Sequence, residues 1–351
     1  MDEIIFNEIP GKNMRWGEIK LNRPRSLNAL THTMITRFFH HALAWANNPK
    51  IGGIVIRSLH DNAFCAGGDI RYIYDEGKTQ TAKVLSFFSD EYLLNHLLFH
   101  YPKPFFAFLN GLTMGGGVGI SVYANHRFVT ERYLFGMPEA RIGFFPDIGA
   151  SYFLSRLTKN MGSYLALTGE KLNAHGAISL GLADHLIESH ATEEILAKLF
   201  ETDIRENTDR VIKDIIQPHR KTINGQDFEA LTHKVNDCFN SDKIDDILSR
   251  LQKADAWGQD LIKKISFNSP TSLKVICAQL AKGKNLSFDE CLKMEYTMVQ
   301  HFLQGSDFYE GVRAVIIDKD QKPRWEPPTL DQVTPSRVDT YFQPTAQTLS
   351  F

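Results

Sequence analysis

Two acids, Glu139 and Asp147, stand eight positions apart in the stretch GMPEARIGFFPDIGA (136–150), among Phe, Ile, Met, Pro and Gly. An ionised side chain is expensive in apolar surroundings unless something pairs with it or uses it. Carboxylates placed in this way suit general acid–base work or attack on an electrophile. Two Gly-rich turns offer complementary chemistry. AFCAGGDIR (63–71) and NGLTMGGGVGI (110–120) each follow an apolar run and precede a helical pattern. Backbone N–H groups at such a junction point at solvent or at a ligand. Two turns from neighbouring strands can aim two donors at one point, which is the geometry of an oxyanion hole. Taken singly, each cluster also reads as a tight turn that needs φ > 0. Neither matches the phosphate-cradling patterns GxGxxG or GxxxxGK[ST], and GxSxG and HExxH are absent. Cys65 abuts the first turn without a His in the same motif, so it reads as packing.

The elements that must position these groups follow from periodicity. Residues 3–9 and 15–22 alternate as strands, joined across PGKN. A helix is expected after a Thr31 cap, and IGGIVIRSL and PFFAFLN (104–110) are buried strands. A long helix is expected over about 81–99, a helix opening in the second Gly cluster, and a strand at HRFVT (126–130). Strands alternating with helices predict an α/β fold with parallel pairing over about residues 1–200. Residues 201–227 read as a polar linker with some helix, and 228–316 as helices. SP before TSLKV and the capping box SFDE (287–290) mark two helix starts. The expected organisation is a core at 1–200, a helical region at 201–325 and an extended, Pro-containing tail at 326–351.

Composition narrows the class. The 351 residues are 43% hydrophobic and 23% charged, with a formal net charge of −2 and no Lys/Arg run longer than two. A nucleic-acid partner has no electrostatic footprint here. The four cysteines show neither CxxC spacing nor disulfide density, which predicts a reducing compartment. MDEIIFNEIP is unlike a secretory or transit segment, and no stretch has the eighteen apolar residues of a membrane span. A cytoplasmic protein without a membrane partner is expected.

Taken as an ordered set, LNRPRSLNAL (21–30), FCAGGDI (64–70), NGLTMGGGVGI, FGMPEARIGFFPDIG (135–149) and GLADHLI (181–187) resemble the crotonase (enoyl-CoA hydratase/isomerase) superfamily. The resemblance implies a crotonase-like fold of stacked ββα turns that binds acyl-CoA. It implies an oxyanion hole of backbone N–H groups from the Ala66/Gly67 turn and from Gly116. It also aligns Glu139 with one of the two catalytic carboxylates of the hydratases. The other hydratase Glu falls on Gly119, which can act neither as acid nor as base. That departure speaks against simple hydration.

PExxIGxFPDxG, with Asp147 as its second acid, resembles instead the branch that hydrolyses short β-hydroxyacyl-CoA thioesters. DEYLLN (90–95), SPTSLKV (269–275), ECLKMEY (290–296) and DFYEGVRAVIIDKDQKPRW (307–325) carry that likeness almost to the end of the chain. The implied substrate is 3-hydroxyisobutyryl-CoA, an intermediate of valine breakdown. Glu139 would be base or nucleophile, and Asp147 would orient the substrate hydroxyl, the water or Glu139. Asp147 could also cap the helix IGASYFLSRL. Glu91 and Asp69 are candidate substrate contacts, Glu91 with a surface or structural role as its alternative. No metal or redox cofactor is implied, since CoA arrives with the substrate. A homo-oligomer is compatible with the resemblance. Another crotonase reaction and a non-catalytic structural subunit are the competing expectations.

Overall fold

The computed structural model describes residues 2–203, 208–219 and 226–351. Among the described residues ten strands form two sheets. They are β1 (Ile4–Pro10), β2 (Arg15–Leu21), β3 (Ile51–Ser58), β4 (Ala63–Cys65), β5 (Phe105–Leu109), β6 (Leu112–Met114), β7 (His126–Thr130), β8 (Leu134–Gly136), β9 (Leu172–Asn173) and β10 (His185–Ile187). The larger sheet runs β1-β2-β3-β5-β7-β10, antiparallel at β1/β2 and parallel elsewhere. The smaller runs β4-β6-β8-β9. Each of β3, β5 and β7 is followed within a few residues by a strand of the other sheet, so the chain climbs in ββ steps. The strands expected from apolar runs are present. The two- and three-residue strands are too short to show a period of two in the sequence.

The chain divides into two compact units, each built from separated segments. The first takes 1–68, 93–135 and 172–225, and the second takes 69–92, 136–171 and 226–351. The division therefore runs through the first 200 residues rather than at their end, because 69–92 and 136–171 pack with the C-terminal helices. In the first unit Trp16, Val55, Phe106, Phe108 and Phe128 of the larger sheet pack against Ile195, Leu199 and Ile212. Each such side chain fully buried contributes about 1.5–3 kcal/mol. The helix His32–Asn47 starts at Thr31, whose hydroxyl accepts the Met34 N–H.

The second unit is mainly helical. Helices Pro270–Gly283 and Phe288–Gln304 begin at Ser269 and at the Ser287/Glu290 capping box, as the sequence predicts. Phe144, Phe145, Phe302 and Phe308 pack in tilted and edge-on pairs with centroids 4.6–5.4 Å apart and close its core beside the acid-bearing stretch. Two expectations differ. The second Gly cluster makes only one helical turn, Gly116–Gly119, because glycine propagates a helix poorly. The polar linker carries the helix Thr208–Ile216, in line with the helix expected there, and its positions 204–207 and 220–225 lie outside the described residues. The tail carries a short helix, Pro335–Thr340, started by a Thr334 cap and a proline at its first position. Among the described residues no helix is long and apolar enough to cross a membrane.

Candidate active site

In the first unit the two Gly turns leave neighbouring strands. β4 and β6 pair in parallel, Ala63 opposite Leu112 and Cys65 opposite Thr113. Gly67 adopts φ +108°, and a Cβ there would lie 3.3 Å from the Met114 carbonyl oxygen and 3.7 Å from the Gly116 nitrogen. The two turns thus meet at their glycines. Gly116 is the first residue of its helical turn, so its N–H has no intrahelical acceptor. Among the described residues no hydrogen bond occupies the N–H of Gly67 or Gly116. Ala66 differs: its N–H donates to the Leu27 carbonyl at 3.0 Å. The unengaged donors are therefore those of Gly67 and Gly116. Cys65 is fully buried and its thiol donates to the Asn28 carbonyl, in keeping with packing.

The second unit gathers the acids. Glu139 opens a 3-10 turn, Glu139–Ile142, that Gly143 ends in the left-handed region. Asp147 follows Pro146, and Glu91 lies on the helix Thr81–Phe99. Their exposures are 8% for Glu139, 6% for Asp147 and 3% for Glu91. One oxygen each of Glu139 and Glu91 is buried without a hydrogen-bond partner. Burial raises both carboxyls well above the usual range, and the nearby Asp147 charge adds to the effect. Asp147 itself is raised to about 7 by burial, against the pull of a 2.8 Å hydrogen bond from the Tyr92 hydroxyl. Among the described residues no Lys or Arg pairs with any of the three.

Asp147 does not cap the next helix. Gly149 holds that place, and it is the Asp147 carbonyl that accepts the Ala150 N–H. Asp69 does act as a cap, its carboxylate accepting the Tyr72 N–H at 3.2 Å at the start of the helix Ile70–Gly77. That local role accounts for its type without a substrate.

Three further residues bear on the acids and were not singled out from sequence. They are Tyr92, the donor to Asp147; Glu295, whose carboxylate accepts the N–H groups of Gly149 and Ser151 at 2.7 and 2.8 Å; and Gln279, which donates to the Pro146 carbonyl and to Ser151 Oγ. A signal for Glu295 exists. It falls on the apolar stripe of its helix with Cys291, Leu292, Val299 and Phe302, where an acid is out of place.

Unpaired N–H donors suit a carbonyl oxygen that gains charge, and buried carboxyls with raised pKa suit proton transfer near neutral pH. None of the acids belongs to a cluster with metal-ligand geometry among the described residues.

Comparison with known proteins places the fold and these motifs together. The chain belongs to the enoyl-CoA hydratase/isomerase family, whose model matches residues 16–342. Over 335 residues it is 41% identical to the mitochondrial 3-hydroxyisobutyryl-CoA hydrolase of Rattus norvegicus, covering 93% of this chain and 86% of that one. It is 39% identical to the protein of that name from Homo sapiens, with the same coverage. Among solved structures, a carnitinyl-CoA dehydratase from Mycobacterium thermoresistibile superposes with a TM-score of 0.91 at 30% identity, over 100% of this chain and 99% of that one. An enoyl-CoA hydratase from Rhodobacter sphaeroides gives 0.89 at 30% identity over the whole of both chains. The crotonase-like fold with a helical C-terminal region is thereby established.

Proposed function

We propose that this protein hydrolyses a short β-hydroxyacyl-CoA thioester, with 3-hydroxyisobutyryl-CoA as the substrate and 3-hydroxyisobutyrate and CoA as products. The observation that carries the reading is the pair Glu139 and Asp147, both buried in one unit and each raised in pKa. The relatives' names agree with it. In the proposed reaction the thioester carbonyl oxygen takes hydrogen bonds from the Gly67 and Gly116 N–H groups, which stabilise the charge that develops on it. Glu139 either takes a proton from water as the water oxygen bonds to the carbonyl carbon, or bonds to that carbon itself. In the first case the C–S bond then breaks and CoA leaves as a thiol. In the second a mixed anhydride forms as CoA leaves, and water opens it. Asp147 orients the reacting water, the substrate hydroxyl or Glu139. Glu91, beside Asp147, contributes to holding the acyl group.

The two solved structures, a dehydratase and a hydratase, favour a second reading, addition or removal of water across a C–C double bond. Gly119 stands where the hydratases carry one of two glutamates, and it is buried in the single turn Gly116–Gly119. One proton carrier of that pair is therefore missing. Assaying 3-hydroxyisobutyryl-CoA, 3-hydroxypropionyl-CoA and crotonyl-CoA side by side, with free thiol and enoyl absorbance both recorded, tests the choice. Thiol release from the β-hydroxyacyl substrates is expected. Loss of the crotonyl double bond without thiol release would overturn hydrolysis.

A further inference from the structure

The backbone after Asp147 passes through two consecutive left-handed residues, Ile148 at φ +57° and Gly149 at φ +85°. A β-branched residue holds that conformation only where its surroundings over-determine it. Two fully buried polar side chains from distant helices do so. Gln279 donates to the Pro146 carbonyl at 2.6 Å and to Ser151 Oγ at 2.8 Å, on one side of Asp147 and beyond it. Glu295 accepts the Gly149 and Ser151 N–H groups, one on each carboxylate oxygen. Both oxygens of Glu295 are thus used on backbone donors, whereas Glu139 and Glu91 each keep a buried oxygen without a partner. Even with both oxygens hydrogen-bonded, a buried carboxyl is a costly way to tie down a turn that an apolar contact could also pack. What it supplies is a fixed direction for the groups on that turn.

We propose that Glu295, together with Gln279, is a positioning residue that sets the place of the Asp147 carboxylate by clamping the 146–151 backbone from both sides of the turn. The proposal rests on the reading of Asp147 as part of the reacting site. Glu295 acts on the reaction only through Asp147. Its loss should therefore matter while Asp147 is present and hardly at all once Asp147 has been replaced.

The test is a double-mutant cycle on the full-length protein, read by thiol release from 3-hydroxyisobutyryl-CoA, with wild type, Glu295→Gln, Asp147→Asn and the double variant. Glu295→Gln keeps the side-chain size but turns an NH2 group toward one of the two backbone donors. Glu295→Gln is expected to lower kcat by roughly 10- to 100-fold, the scale of an ångström misplacement, with KM within about threefold. In the Asp147→Asn background the same change is expected to cost less than about twofold. Equal losses in both backgrounds, or an unchanged kcat, would overturn the positioning role. Gln279→Leu, which releases the same turn at Pro146, takes the place of Glu295→Gln under the same criteria if circular dichroism shows the latter unfolded. Wild-type protein that releases no thiol would overturn the hydrolysis reading itself, an outcome distinct from additive losses in an active enzyme.

Discussion

The Tyr92 hydroxyl donates a 2.8 Å hydrogen bond to Oδ2 of Asp147, with both side chains buried. The bond favours the ionised carboxylate and opposes the upward push of burial. Tyr92→Phe removes the donor and leaves the ring's packing. It should raise the Asp147 pKa, so that the acid limb of the kcat profile moves up by roughly one pH unit, in proportion to a hydrogen bond to a charged group. A pH–rate profile of the variant whose limb coincides with that of the wild type would refute the coupling.

The acids themselves give a sharper test. Glu139→Gln and Asp147→Asn should each lower kcat for thiol release by on the order of 10²–10⁴-fold, with both variants folded. Near-full turnover in both would remove the assigned site. Because burial raises Asp147 to about 7 and raises Glu139 as well, activity should rise with pH through about 7 as Asp147 ionises and continue to rise as Glu139 ionises.

Stability should run the other way. The Asp147 carboxyl lies near 3.8 when unfolded and about 7 when folded, so between these values the folded state holds the proton more tightly. The contribution is fully present below about pH 4 and is lost as pH rises through about 7. Asp147→Asn deletes that loss. The variant should melt above the wild type at pH 8, by an amount corresponding to a few kcal/mol, and the two should converge near pH 4. Thermal melts at both pH values decide it, and parallel curves would refute the shift.

The Gly turns are tested at Gly67. Its φ of +108° excludes a side chain without strain, and a Cβ would press on the Met114 carbonyl oxygen. Gly67→Ala should displace the donor turn and lower kcat by on the order of 10²–10³-fold, the scale of losing one oxyanion donor. An alanine variant with normal turnover and normal KM would place the carbonyl elsewhere.

The parts of the fold whose signals are local are legible in the sequence. β3, β5 and β7 are apolar runs, Thr31, Ser269 and the Ser287/Glu290 box mark helix starts, and the ordered motifs carry the family. Strands of two or three residues, such as β4, β6 and β9, have no period to read. The site divides in the same manner. Glu139 and Asp147 stand in one short motif, and their proximity needs only a turn. The pairing of Asp147 with Tyr92 spans 55 positions, and that of Gly149 with Glu295 spans 146. Contacts of that separation depend on which helix faces meet, which neither propensity nor spacing encodes. Ala66 illustrates the converse: the motif names it, yet its N–H is bound to Leu27 by a chain reversal visible only in three dimensions.

The separation between Gly149 and Glu295 also orders events during synthesis. At ribosomal rates, roughly 7–30 s pass between the emergence of the first residue and that of the second. Throughout that interval the turn bearing Asp147 lacks the Glu295 half of its clamp. That half waits for the Phe288–Gln304 helix, so the newborn protein fixes the Asp147 turn almost last. A chain halted after residue 200 would possess Glu139 and Asp147 yet lack the dry surroundings that distinguish them from any surface carboxylate.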